Sequence, residues 1–415
     1  MPGRSIVGFT LMTFAGAVGC GGRPPVAAHR FTGLALVDST HYVDSLAREA
    51  MVVEHPNGTL FVAGYGQPGP KLWKSGDRGR SWRRVAVGTE ADGAVGNSDV
   101  DLAVGPDGTL YFITMGYDRT RFEGTHIAMG VSRDVGTTWT WTRLSTDRFD
   151  DRPWVEVAPD GTAHAIWNDG SGVSYASSSD AGRTWREQPK IHSSGGSSHL
   201  AVGPAGEIAV RIVPLSASGN KIDRETDLVA VSVDGGATWQ KHTPPGTRAW
   251  GFPLGNPKDL PRWVEPVAFD SLGRLYSLWS EGTDLWLGRS ADRGVTWTTT
   301  RIVQSQVRLY FPYLIARGAG ELIASWAAGE GDSLRAQIAR IEIRDGHEPE
   351  VLMAPALAPA SWEMTPKPTD KPVRSAAGEY FATTFLRAGG VAAVTPIQDP
   401  AGGRFGFSFW RFEPR

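Results

Sequence analysis

Five near-copies of one eight-residue phrase, S-x-D-x-G-x-[ST]-W, run through the chain. They are Ser75 to Trp82 (SGDRGRSW), Ser132 to Trp139 (SRDVGTTW), Ser178 to Trp185 (SSDAGRTW), Ser232 to Trp239 (SVDGGATW) and Ser290 to Trp297 (SADRGVTW). A phrase recurring in this way constrains the fold to an array of similar units, each burying its apolar face against its neighbours. The residue types are those of a turn. An aspartate side chain accepts hydrogen bonds from amides a few residues ahead, glycine relieves a positive φ, and tryptophan caps an apolar layer.

A second phrase keeps step with the first. PNGTLFVA (Pro56 to Ala63), PDGTLYFI (Pro106 to Ile113), PDGTAHAI (Pro159 to Ile166) and PAGEIAVR (Pro204 to Arg211) each set a turn before an apolar strand, and SLGRLYSL, GAGELIAS and AAGEYFAT are weaker copies. Their glycines are Gly58, Gly108, Gly161, Gly206, Gly273, Gly320 and Gly378, which gives steps of 50, 53, 45, 67, 47 and 58 residues. That period suits one four-stranded propeller blade per unit and is too long for a leucine-rich or ankyrin unit. The 51 Gly, 28 Pro and 16 Trp agree with short strands and tight turns. The expected fold is therefore all-β, a propeller of seven four-stranded blades, with six as the alternative. The last unit offers three strands, Glu379 to Leu386, Gly390 to Ile397 and Arg404 to Phe412, so the run Phe31 to Val37 is expected to supply the fourth and close the ring.

In register, the five phrases resemble the Asp-boxes of the BNR repeats in sialidases and other Asp-box propellers, over roughly residues 45 to 300. The resemblance implies that Asp77, Asp134, Asp180, Asp234 and Asp292 are structural and lie away from the active site. It also directs attention to the segments leading into the innermost strands, since propeller ligands meet the axial mouth. Those segments place Arg48, Asp99, Asp101, Asp151, Arg152, His199, Arg262, Arg308 and Arg374 as candidate ligand contacts.

A sialidase of this family grips the sugar carboxylate with three arginines, attacks with a tyrosine activated by a glutamate, and uses an aspartate as acid/base. Arg48 lies near the first family arginine, and Glu265 and Tyr310 are the candidate catalytic pair. The chain departs from the pattern where the next arginine falls on Ser280 or Glu281 and where Gly64 to Trp73 holds no aspartate. Asp151-Arg152-Pro153-Trp154 resembles a D-[RK]-P-W phrase of bacterial sialidase-like propellers, and reads either as a fixed guanidinium for a ligand or as a salt bridge between blades.

Other motifs fail in context. Gly64 to Gly69 fits G-x-G-x-x-G but precedes a strand rather than a helix, the nine histidines show no paired metal spacing, and the single cysteine excludes a cysteine-rich zinc site. No cofactor or metal is expected. With 42 basic against 44 acidic residues, nucleic acid is not an expected partner.

The N-terminus reads as a targeting signal. Arg4 precedes an apolar run from Ile6 to Val18, too short for a permanent span, and Ala17-Val18-Gly19-Cys20 resembles the bacterial lipobox, with Ala17 in place of the usual Leu. The expected organisation is a lipoprotein signal peptide over 1–19, a lipidated linker over 20–30 beginning at Cys20, and a single propeller over 31–415. The expected protein is an exported monomer of the bacterial envelope or surface, anchored by lipid, binding a glycan or other extracytoplasmic ligand at its mouth. An exo-acting glycoside hydrolase and an envelope interaction scaffold are the alternatives. Cys20→Ser is expected to give an uncleaved or soluble product by membrane fractionation, and a mature chain still lipidated after that change would refute the anchor.

Overall fold

Alternating apolar runs punctuated by turns about every ten residues produce antiparallel hairpins, and the described residues arrange them in seven sheets. A computed structural model of the chain describes residues 32–66, 69–214, 226–246, 264–330, 333–355, 357, 361–365, 374–375, 380, 382–399 and 403–415. The result is a seven-bladed β-propeller.

The blades follow chain order. Their innermost strands are Arg48–Glu54, Ser98–Val104, Asp150–Val157, Gly196–Val202, Val267–Phe269, Arg308–Arg317 and Thr383–Phe385. These strands touch their neighbours around the whole ring, that of blade 7 reaching back to that of blade 1. The N-terminal strand Leu34–Val43 is the outermost strand of blade 7, pairing antiparallel with Arg404–Pro414 from Leu34 opposite Pro414 to Val43 opposite Gly406. Closure thus follows the expected route. Blade 6 differs from the others, because Ser361–Thr365 and Arg374–Ser375 add two short strands to its sheet.

The eight-residue phrases join the third strand to the fourth in blades 1 to 5. In each, the serine hydroxyl accepts the glycine amide at 2.7 to 2.9 Å and donates to the aspartate at 2.7 to 2.9 Å. The aspartate also accepts the amide and hydroxyl of the Ser or Thr four residues on, the amide at 2.8 to 2.9 Å and the hydroxyl at 2.5 to 2.7 Å. The hydroxyl and then the amide of Ser81 hold Asp77 down at about 2, and Thr238 and Thr296 do the same for Asp234 and Asp292. These carboxylates stabilise the fold above the usual aspartate range, and that contribution is lost as pH falls through about 2.

Four of the five turns are also pressed against the preceding blade, that of blade 5 making only ordinary contacts around Gly294. A Cβ on Gly136 would lie 2.9 Å from Phe61, one on Gly182 would lie 2.7 Å from Val131, and one on Gly236 would collide with the Tyr175 ring. Gly79 of blade 1 sits in the same way on Phe409 of blade 7. The phrase therefore fastens blade to blade as well as closing its own hairpin. Blade 7 cannot carry it, because its third and fourth strands come from opposite ends of the chain.

One expectation is corrected. The inner turn of blade 7 is centred on Gly389 rather than Gly378, since Leu386 N–H donates to Gly390 O and Gly389 N–H to Leu386 O, as His55 and Gly58 do in blade 1. Arg374 consequently lies outside the lead-in of blade 7. Its backbone pairs with Thr365 at the edge of the blade 6 sheet.

Gly236→Ala combines a φ of +88° with the Tyr175 collision. It should destabilise the protein by about 3 kcal/mol in chemical denaturation, against less than about 0.5 kcal/mol for the unobstructed exposed glycine Gly346→Ala, corrected for its own positive φ by a Gly346→Asn control.

Candidate functional site

Each innermost strand starts on the face opposite the eight-residue turns, and five of them start irregularly. The pairing register shifts between Arg48 and Met51, Ser98 and Val100, Asp151 and Trp154, Ser197 and His199, and Tyr310 and Tyr313. Glu49, Arg152 and Phe311 take φ of 47°, 46° and 54° at these bulges. Non-glycine residues hold such angles only where the surroundings enforce them, and bulges of this kind re-aim side chains near binding sites.

Beyond the bulge, one residue per blade faces the axis seven positions before the turn glycine. Asp101, Trp154, His199 and Tyr313 occupy these positions in blades 2, 3, 4 and 6. Trp154 lies 4.9 Å from His199 and 5.4 Å from Tyr380, His199 lies 5.5 Å from Tyr313, and Tyr313 stacks 6.0 Å from Tyr380. The tyrosine hydroxyl of Tyr380 donates to Val100 O at 3.3 Å. Blades 3, 4, 6 and 7 thus build an aromatic floor beneath the mouth.

Two acids accompany it. Asp101 accepts the amides of Leu102 at 2.7 Å and Val155 at 2.9 Å, so it ties blade 2 to blade 3. Desolvation nevertheless lifts its carboxyl to about 7. Glu156 stands one pleat below Trp154 amid Ala103, Ala201 and Ala268 of other innermost strands. Its side chain is exposed in area yet enclosed by the ring, so the surface it shows is that of an axial channel. Burial, followed by the charge of Asp101, pushes it up to about 8. Desolvation holds His199 at about 4, neutral at pH 7. Burial, then Asp101 and Glu156, raises Tyr313, and burial, then Glu49, Asp99 and Asp101, raises Tyr380.

The other sequence candidates divide. Asp101 and His199 belong to the floor, and Asp99 lies close enough to act on Tyr380. Asp151 and Arg152 are 3.9 Å apart, half-buried, with Arg152 O accepting the Ser197 hydroxyl at 2.8 Å. Arg48 lies over the Tyr65 ring at 5.2 Å, and Arg308 begins the innermost strand of blade 6 opposite Gly329. Tyr310 packs beside Phe311, 6.1 Å between ring centres, at the edge of an apolar cluster that includes Trp410 and Phe412. Glu265 is 2% exposed and its carboxylate meets Arg211, which is itself fully buried and bound to Asp227 at 2.5 Å. Arg262 and Cys20 lie outside the described residues.

Trp154, Tyr313, Tyr380 and Glu156 were not among the sequence candidates. The spacing from the turn glycine identifies the first two, but only once the bulge is known. Among the described residues, no group of three or more His, Cys, Asp or Glu side chains is placed to hold a metal ion.

Several solved propellers share this architecture. A streptogramin B lyase structure matches at 13% identity over 92% of this chain and 98% of that one, with a TM-score of 0.52. An α-L-arabinanase of Penicillium chrysogenum complexed with arabinobiose matches at 12% over 92% and 98%, with a TM-score of 0.49. The Hadza microbial sialidase Hz136 matches at 16% over 74% and 65%, with a TM-score of 0.44. At these identities the likeness is one of fold. No family model and no curated protein matches the chain.

Because Glu156 has a raised folded pKa, its stabilising contribution is complete below the usual glutamate range and is lost as pH rises through about 8. Glu156→Gln should therefore melt at least about 2 °C above the parent near pH 9 and alike near pH 5 in thermal denaturation. Equal shifts at both pH values would show that the group does not titrate this way.

Proposed function

We propose that this propeller is a carbohydrate-binding protein of the bacterial envelope, exported, anchored through Cys20, and taking a glycan at its axial mouth. The observation that carries the reading is a mouth bearing Arg152 and Asp151, held rigid by the buried aromatic floor of Trp154, Tyr313 and Tyr380. Sugars present hydroxyls for charged and amide partners, and a mouth of such groups held on a rigid ring suits them, the buried floor rings serving as its support. The enzymes named arabinanase and sialidase among the similar folds act on carbohydrates, which agrees with the proposal without carrying it.

A hydrolytic version is favoured by one feature. Asp101, level with the floor, stays protonated to about 7, so an acid is on hand at neutral pH. Tyr310 with Glu265 is the other assignment, in which Arg211 has to release the Glu265 carboxylate it binds.

Glycan-array screening of the full chain, with Arg152→Ala beside it, tests binding. The expected result is a defined set of glycans whose signal falls at least about tenfold in the variant. Hydrolysis of a fluorogenic sialoside and a panel of aryl glycosides separates the two versions. Turnover lost in Tyr310→Phe supports the tyrosine mechanism, turnover lost above about pH 7 and in Asp101→Asn supports the axial acid, and silence with glycans bound leaves a binding protein.

A further inference from the structure

A cleft of about 910 Å³ opens on the mouth face between blades 1 and 2. One wall is the segment 84–97 that links the two blades, and the other is the hairpin formed by Leu110–Asp118 and Glu123–Ser132. Its volume falls in the range of small-molecule sites, and it is distinct from the axial floor.

The cleft is built without a ligand. Asn97 clasps Tyr117 twice, its Oδ1 accepting the amide at 2.8 Å and its Nδ2 donating to the carbonyl at 3.1 Å. The Thr114 hydroxyl donates to Val95 O at 2.6 Å, and the indole of Trp141 donates to Val87 O at 2.7 Å. Thr89 donates its amide and hydroxyl to Asp92 at 2.8 and 2.7 Å. A linker fastened at so many points loses little freedom when something binds to it.

The lining is mixed, somewhat more apolar than polar, and offers little unpaired charge. Backbone, small residues, Tyr117, Thr89 and Thr125 face the space. Burial keeps His126 neutral, at about 4, while its Nδ1 bonds the Thr125 hydroxyl at 3.0 Å. Arg84 lies 3.8 Å from Asp44, and Asp118 accepts the amides of Thr120 and Arg121. At the tip of the flanking hairpin, Phe122 is 78% exposed and held at φ 58°. It stands beyond the cleft's own lining, an exposed ring on a left-handed backbone at the rim hairpin.

We propose that this cleft is a second carbohydrate subsite, which takes the neutral distal units of an oligosaccharide whose leading sugar sits at the axial mouth. The proposal rests on the carbohydrate reading above. The segment that lines the cleft at Asn97 leads into the bulge between Ser98 and Val100, to Asp99 at the mouth, at most about 7 Å along the chain, comparable to one sugar unit. Phe122 offers the distal units a stacking face, and the hydroxyl and backbone groups of the wall offer them hydrogen bonds.

The test is calorimetric titration of the full chain with maltose-, cellulose- and arabinan-derived ladders from monosaccharide to hexasaccharide, repeated with Ala86→Trp, which plugs the cleft, and Phe122→Ala. For a ladder that binds, affinity is expected to rise at least about tenfold from monosaccharide to tetrasaccharide. Both variants should flatten that rise while leaving the monosaccharide affinity unchanged. Hydrogen exchange over 84–97 should slow only with the longer members. Binding without length dependence, or an undiminished rise in both variants, overturns the subsite and leaves the mouth intact. Binding of no ladder, together with an empty glycan array, overturns the carbohydrate reading and the subsite with it. If Ala86→Trp fails to fold, hydrogen exchange over 84–97 decides for the cleft itself, with Phe122→Ala reporting on its rim.

Discussion

Seven innermost strands have to meet around one axis, and what stands where they meet governs the rest of the molecule. Seven residues before the inner turn glycines stand Met51, Asp101, Trp154, His199, Pro266, Tyr313 and Ala382. Large and small members alternate unevenly, so the aromatic rings of blades 3, 4 and 6 lean into space that Pro266 and Ala382 leave free. Tyr380 enters the same space from blade 7. Close packing at this point makes the mouth a fixed surface above the level of Glu156, where Val53, Ala103, Ala201, Ala268, Ile315 and Thr384 hold the matching positions.

Where the chain's chemistry is local, the sequence reads well. The eight-residue turns and the Pro-Gly turns are formed by contacts within a few residues, so their spacing reports blade number and strand order directly. Blade 7 shows the limit. Its inner turn, Leu386 to Gly390, has neither proline nor aspartate, and AAGEYFAT upstream looks more like its sisters than the true turn does. The misplaced turn put Arg374 in the lead-in of blade 7, whereas its backbone pairs at the edge of the blade 6 sheet.

The axial residues were hidden for a different reason. A strand alternates its faces with period two, and a bulge of one residue inverts that alternation. Tyr310 therefore looked like the inward tyrosine of blade 6, whereas Tyr313 lies past the shift and reaches His199 and Tyr380. Glu265 was recognised as notable, but its partner Arg211 lies 54 residues earlier, in a strand whose sequence looks simply apolar. Long-range ion pairs leave no local mark. The resulting Arg211 cluster joins blade 4 to blade 5 in a place without water, where loss of one member strands the others.

The strand that closes the ring carries a cost in time. Leu34–Val43 finds its partner only when Arg404–Pro414 exists, so nearly the whole chain must be synthesised before blade 7 can form. Until then, its backbone donors and acceptors and the side chain of Leu34, buried once the ring is closed, are available to any passing strand. Folding of this propeller is therefore governed by its longest loop closure. Dilution or a chaperone that shields the first strand should raise the yield of native protein more than any improvement to the blades themselves.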